Sequence, residues 1–147
     1  VDRELIIPMT WTINDAPVVP ETLQEYYGFC YLITNLKTNK KYVGRKYFTK
    51  AKTKQVKGKR KKIRVESDWI DYYGSNAELL KDVELYGKEN FKREILHLCR
   101  TRGECSYYES KEILMRDCLL REDYYNVWLS CKIRRNHLNI MRGDLKK

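Results

Sequence analysis

Residues 26–34 and 41–48 are two aromatic, β-prone runs, and between them stands the polar segment Asn35-Leu36-Lys37-Thr38-Asn39-Lys40. Two such runs around a short turn-forming connection predict an antiparallel hairpin, so the rest of the chain must complete a sheet. The stretch FCYLITNLKTNKKYVGRKYF sets one tyrosine in each strand, Tyr31 in the first and Tyr42 in the second. A strand tyrosine ordinarily buries its ring and satisfies its hydroxyl with a hydrogen bond, so the hairpin alone assigns them no chemistry.

Downstream the apolar spacing changes. In ESDWIDYYGSN, Trp69, Tyr72 and Tyr73 stand at i, i+3 and i+4, which predicts a helix capped by Ser67 or Asp68 and ended at Gly74. Leu79, Leu80, Val83 and Tyr86 predict a further amphipathic helix that stops at Gly87. FKREILHLC reads as a third strand with Phe91, Ile95 and Leu96 in the core. After a turn at Arg102-Gly103, residues 104–121 predict a long helix with Tyr107, Tyr108, Leu114, Met115, Cys118 and Leu119 along one side. YYNVWLSCKI reads as extended or irregular. All three prolines, Pro8, Pro17 and Pro20, fall in the first 24 residues, as in an extended arm. The expected architecture is one α+β domain: a small, three-stranded, mainly antiparallel sheet flanked by helices, with a long basic insertion after the second strand. Residues 1–25 form the arm, 26–127 the domain and 128–147 a basic tail.

The charge is concentrated in that insertion, which reads as a long loop or partly helical segment. From Arg45 to Arg64 there are eleven Lys or Arg residues and no acid, so a formal charge of +10 leaves the remainder of the chain at −1. Dense charge of one sign repels itself unless an anionic partner is present, and a phosphate backbone is such a partner. Nucleic-acid contacts are expected from Lys50, Lys52, Lys54, Lys57, Lys59, Arg60, Lys61 and Lys62, and from Arg134 and Arg135 in the tail. A membrane surface is disfavoured because the block has no apolar face. No apolar run approaches the ~20 residues of a membrane span, and VDRELIIPMTWTI lacks the pattern of a signal peptide, so a cytoplasmic setting is expected. Five cysteines with no C-x-x-C pair suit reduced, structural thiols, and His97, Cys99 and Cys105 lack the second ligand pair of a zinc site.

Tyr42-Val43-Gly44, eleven residues after Tyr31, together with FCYLITN, resembles the two-part signature of the GIY-YIG nuclease superfamily. Phe29 and Cys30 stand where that family has Gly and Ile. LYGKENFKREIL, an acid-bearing helix and the closing YYN resemble its later parts, so the resemblance covers about residues 26–127. It implies a phage-type homing or nicking endonuclease that hydrolyses phosphodiester bonds of double-stranded DNA with one Mg²⁺ or Mn²⁺, with a homodimer as one arrangement that could supply specificity. Tyr42 would then help activate water as a general base, its phenol needing a lowered pKa from Arg45, Lys46 and the metal. Tyr31 would orient water or phosphate. Glu109 would hold the metal, with Glu112 as the alternative, and Asn126 would brace the site or contact phosphate. The catalytic cation would be Arg64, the last one before structure resumes, or Arg45 or Lys46 beside the hairpin. The family's histidines have no counterpart, which leaves their role to Tyr72, Tyr73 or a lysine. A non-catalytic DNA- or RNA-binding module on the same fold, or a basic structural protein, would share the charge pattern without cleavage.

Overall fold

The computed structural model describes residues 9–146, so the first eight residues of the expected arm, Pro8 included, and Lys147 of the tail lie outside the described residues. In chain order the strands are β1 (Trp11–Ile13), β2 (Ala16–Pro17), β3 (Gly28–Asn35), β4 (Lys41–Tyr47), β5 (Thr49–Val56), β6 (Lys59–Glu66) and β7 (Phe91–Cys99). The helices are α1 (Ala77–Tyr86), α2 (Arg102–Met115) and α3 (Asn139–Leu145). The class is α+β as expected, and the β3–β4 hairpin, β7 and α1 stand where their patterns set them.

The main sheet has five strands in the order β2-β1-β7-β3-β4 rather than three. β1 runs parallel to β7, while β7, β3 and β4 pair antiparallel. The extra strands come from the arm, which is drawn into the sheet by Trp11. Its ring is buried edge-on against Phe29 and Tyr31, with centroids 4.9 and 5.3 Å apart, and its indole N–H donates to the Trp69 carbonyl at 2.7 Å. Every residue of β3 is buried, because both faces of this central strand are covered. Phe29, Tyr31 and Ile33 enter one cluster with Trp69, Leu79, Val83, Phe91 and Ile95; Cys30 and Leu32 enter the other with Val43, Ile113, Cys118 and Tyr124. Helix α1 thus closes one face and α2 the other. Across from the Cys30–Tyr31 step β7 carries an extra residue, Leu96, a bulge that turns it from the first cluster toward the second.

Three expectations are corrected. The basic insertion is a β-ribbon: β5 and β6 pair along their whole length in a separate two-stranded sheet. Their connection is Lys57-Gly58, with φ of 51° and 77°, the positive pair that a two-residue hairpin turn needs. The segment at Trp69 is a single 3₁₀ turn, Trp69–Asp71, and not a helix through Tyr73. Arg93, 2 % exposed, holds it open by donating to the carbonyls of Ile70 and Tyr72, both at 2.9 Å, and to that of Met9 at 2.8 Å. Helix α2 begins at Arg102 under a Thr101 cap and ends at Met115, so Arg102-Gly103 lies inside it. Its inward face is Cys105, Ile113 and Cys118 beyond its end, whereas Tyr107, Leu114, Met115 and Leu119 are exposed. The tail folds back as a 3₁₀ turn and α3, tied to the domain by an Arg100–Asp144 ion pair at 2.7 Å. Among the described residues no helix is long and apolar enough to cross a membrane.

Candidate active site

A cleft of about 420 Å³ opens along the outer edge of β4, lined by Tyr31, Tyr42, Arg45, Ser75, Glu109 and Asn126 with the segment 127–130 as its far wall. Tyr31 reaches it across its register partner Gly44. A Cβ at Gly44 would stand 2.5 Å from Tyr31 Cζ and closer still to the hydroxyl, so only glycine leaves this passage open. Burial pushes the Tyr31 phenol well above its ordinary value, and the neighbouring Tyr72 and Tyr42 hydroxyls push the same way.

Tyr42 is more accessible. Burial again raises its phenol, against the opposing pull of a Ser75 hydrogen bond and, more weakly, of Arg45. The lowered pKa expected for a general base is therefore not produced by the protein's own side chains, since desolvation outweighs the cations. Asn126 clamps the strand between the tyrosine and the glycine: its Oδ1 accepts from Val43 N at 3.0 Å and its amide donates to Val43 O at 2.9 Å. Both ends of the amide are spent on the backbone, so Asn126 pins β4 beside the cleft.

Glu109 enters from α2. Cys105, Glu109 and Ile113 recur every four residues along one side of that helix and face the sheet, which leaves the Glu109 side chain only 16 % exposed. Its Oε1 accepts from Arg45 Nη1 at 2.8 Å. Burial raises the Glu109 carboxyl above its ordinary value, and Arg45 opposes the rise. For Arg45, burial works against the charge, and the Glu109 carboxylate together with the Tyr47 hydroxyl more than offsets it. The pair is thus a cation and a carboxylate held at the mouth of a polar cleft.

The remaining expected residues fall elsewhere. Glu112 accepts from Arg116 Nε at 2.7 Å and sits 2.8 Å from His97 Nε2, outside the cleft lining. Lys46 pairs with Asp68 at 2.6 Å and lies 3.9 Å over the Tyr72 ring. Arg64 is tied to Thr49 at the root of the ribbon, through Nη2 to the carbonyl at 2.8 Å, and does not line the cleft. Once residues 49–66 form a ribbon, β6 carries Arg64 to the ribbon root and not to the cleft. Tyr73 is buried in the core under Arg93, while Tyr72 stands beside Tyr31. Arg134 and Arg135 are exposed on the tail. Sequence reasoning missed Ser75 and Asn76. Asn76 was readable as the cap of α1, since its Oδ1 accepts from Leu79 N at 2.9 Å, and Ser75 precedes it.

Every side-chain donor to a cation in this lining is an oxygen or amide group, with Glu109 the one carboxylate and no His or Cys. That set suits a hard cation such as Mg²⁺, which keeps much of its water and takes one or two carboxylates. Among the described residues no group of three His, Cys, Asp or Glu side chains is placed for a multi-ligand centre.

The family model described as "Putative endonuclease segE, GIY-YIG domain" matches residues 11–129. The chain belongs to this family. The GIY-YIG match takes in β1 and β2, which the sequence pattern had left outside the domain. A curated relative, "Putative endonuclease segE" of Enterobacteria phage T4, is 32 % identical over 102 residues, 69 % of this chain. The aligned part is 40 % of that relative's length, so the chain matches less than half of it. No solved structure matches.

Proposed function

We propose that this GIY-YIG chain is a metal-dependent endonuclease that hydrolyses phosphodiester bonds of double-stranded DNA. The observation that carries the reading is convergence: Tyr31 from β3, Tyr42 and Arg45 from β4 and Glu109 from α2 meet in one cleft. The endonuclease description of the phage relative supports it, and so does the excess of positive charge carried by residues 45–64. A phage relative also fits a homing or nicking role in a host-cell cytoplasm, and either a monomer or a homodimer would serve.

Hydrolysis requires an oriented water, neutralisation of the phosphorane-like transition state and stabilisation of the leaving oxygen. Bound Mg²⁺ or Mn²⁺, held by Glu109, would supply the last of these as a Lewis acid. Arg45 is the cation best placed for the phosphate, because it already lies at the cleft mouth. Tyr42, with Ser75 against its hydroxyl, orients the water; it would serve as the base only as a phenolate, a state that the charge of the bound cation would have to favour against the burial that raises its pKa. Tyr31 is fixed by packing and keeps its proton, so it donates a hydrogen bond to a phosphate oxygen rather than acting as a base. Asn126 holds the β4 backbone in register beneath them.

Supercoiled plasmid incubated with Mg²⁺ should become nicked or linear. Glu109→Ala should abolish the product, and Tyr42→Phe should slow it by about 10²–10⁴-fold, the usual worth of a positioned general base. A wild-type chain that retains DNA but leaves the plasmid supercoiled with both Mg²⁺ and Mn²⁺ would be a binding module instead.

A further inference from the structure

Beyond the cleft, the ribbon sorts its side chains by chemistry. Directly opposed residues of an antiparallel pair share a face, and the register sets Lys50, Lys52, Lys54 and Val56 with Val65, Ile63, Lys61 and Lys59 on one side. The other side carries Thr49, Ala51, Thr53 and Gln55 with Glu66, Arg64, Lys62 and Arg60. Five of the strands' six lysines thus share one face. Both arginines, the glutamine and both threonines share the other. Residues 50–62 are all exposed, and among the described residues none of their lysines or arginines has an ion-pair partner.

Attraction to phosphate would be served equally by lysines on both faces, so the segregation needs another reason. Arg and Gln are the side chains whose paired hydrogen-bonding groups match the base edges of guanine and adenine, and Thr and Ala methyl groups pack against the thymine methyl. Lysine is a flexible point charge suited to phosphate. The two strands lie about 4.8 Å apart, within the ~12 Å width of the B-DNA major groove, which admits a two-stranded ribbon. In that position the lysine face is turned out of the groove, and the long side chains of β5 and of β6 can bend outward to the phosphate rim on their own side.

We propose that β5–β6 is a sequence-reading arm that enters the DNA major groove with its Gln55–Arg60 face toward the bases and its lysine face toward the phosphate rims. Thr53 and Lys62 extend the reading face toward the root, where Arg64 is committed to Thr49 and is not free to read. The arm names how the substrate of the proposed nuclease is chosen, and so rests on DNA being that substrate.

Binding selection from a pool of randomised duplexes, with the full chain in excess chelator, tests the arm without any cleavage. The wild-type chain should enrich a short run of defined base pairs. Arg60→Lys, which keeps the charge and loses the paired hydrogen bonds, should flatten the preference at one of those positions by roughly 5- to 100-fold. Lys54→Gln with Lys61→Gln should instead weaken binding to every sequence and make the salt dependence shallower by about 0.9 for each phosphate left without its lysine. The proposal is overturned if the wild-type chain enriches no sequence, if Arg60→Lys returns the wild-type profile, or if the lysine double variant alters the profile as Arg60→Lys does. Equal affinity for double-stranded RNA, whose major groove is too deep and narrow for a ribbon, would also overturn it. Because the selection contains no free metal ion, a chain that reads sequence but never nicks plasmid refutes the nuclease reading alone.

Discussion

At position 44 a hydrogen atom is the side chain that lets the Tyr31 ring run out to the edge of the sheet. Gly44→Ala would drive a methyl into that ring, so the tyrosine must leave its place or the strands must part. Overpacking of this kind costs about 1–3 kcal/mol, and we expect denaturation to show that loss together with a fall in plasmid nicking. Tyr31 also carries a signature in pH. Its pKa in the fold is raised above 10.0 by burial. Below pH 10 both folded and unfolded chains hold the proton and stability is fully present. Above it the unfolded chain releases the proton while the fold retains it, so stability falls as pH rises toward the folded value. Wild type should therefore lose stability more steeply than Tyr31→Phe between pH 10 and 11, by at most about 1.4 kcal/mol per pH unit for this one group. Equal slopes in urea titrations would show that the phenol ionises in place. Tyr31, Tyr42 and Glu109 were singled out in the sequence by the family resemblance, and the fold brings all three to one cleft. The engagement of Glu109 with Arg45, and the loss of Arg64 to the ribbon root, depend on strand geometry that no spacing encodes.

The elements differ in how far their sequence betrays them. β3, β4 and β7 are rich in aromatic and branched side chains, and α1 has both an asparagine cap and a terminal glycine, with φ of 91° at Gly87. The ribbon was opaque because strand prediction rests on a buried face, and β5 and β6 bury almost nothing; only the Lys57-Gly58 turn advertised a hairpin. The opposite error arose at residues 66–73, where helical spacing of Trp69, Tyr72 and Tyr73 was real but tertiary contacts prevailed. Arg93 supplies them. It is buried, burial lowers its pKa, and it serves three backbone carbonyls from three points along the chain. Arg93→Met keeps most of the stem against Trp11 and Tyr73 and removes those donors. The three bonds are half-buried, and a carbonyl that loses a charged donor costs about 1–3 kcal/mol where water does not replace it, so the variant should lose on the order of 3 kcal/mol in urea unfolding. A loss under about 1 kcal/mol would mean that packing of Trp69 and Tyr73 alone holds the segment.

Across the whole molecule, charge and core are separated: the clusters on the two faces of the five-stranded sheet hold the fold, and the ribbon holds most of the net positive charge. The ribbon meets the rest at its root, through Arg64 over the Tyr27 ring at 5.7 Å and Glu66, which accepts from the Trp69 indole N–H at 3.2 Å, while the Ser67 N–H to Phe48 carbonyl bond at 2.9 Å closes its base. Shortening it should therefore spare the domain. Replacing residues 52–63 by Asn-Gly would join Ala51 to its partner Arg64 through a two-residue turn of the type that favours those residues. Seven Lys or Arg residues leave with that segment, lowering the formal charge from +10 to +3. Each phosphate that no longer meets a cation makes log K against log salt shallower by about 0.9 for duplex DNA. If most of the seven meet phosphate, the shortened chain should bind DNA with a slope reduced by about 4–6, while its thermal unfolding stays close to that of the wild type. The cleft residues Tyr31, Tyr42, Arg45 and Glu109 are all retained, so nicking at high protein and low salt should persist. An unchanged salt slope would mean that the exposed cations of the tail, Arg134 and Arg135 among them, carry the DNA instead.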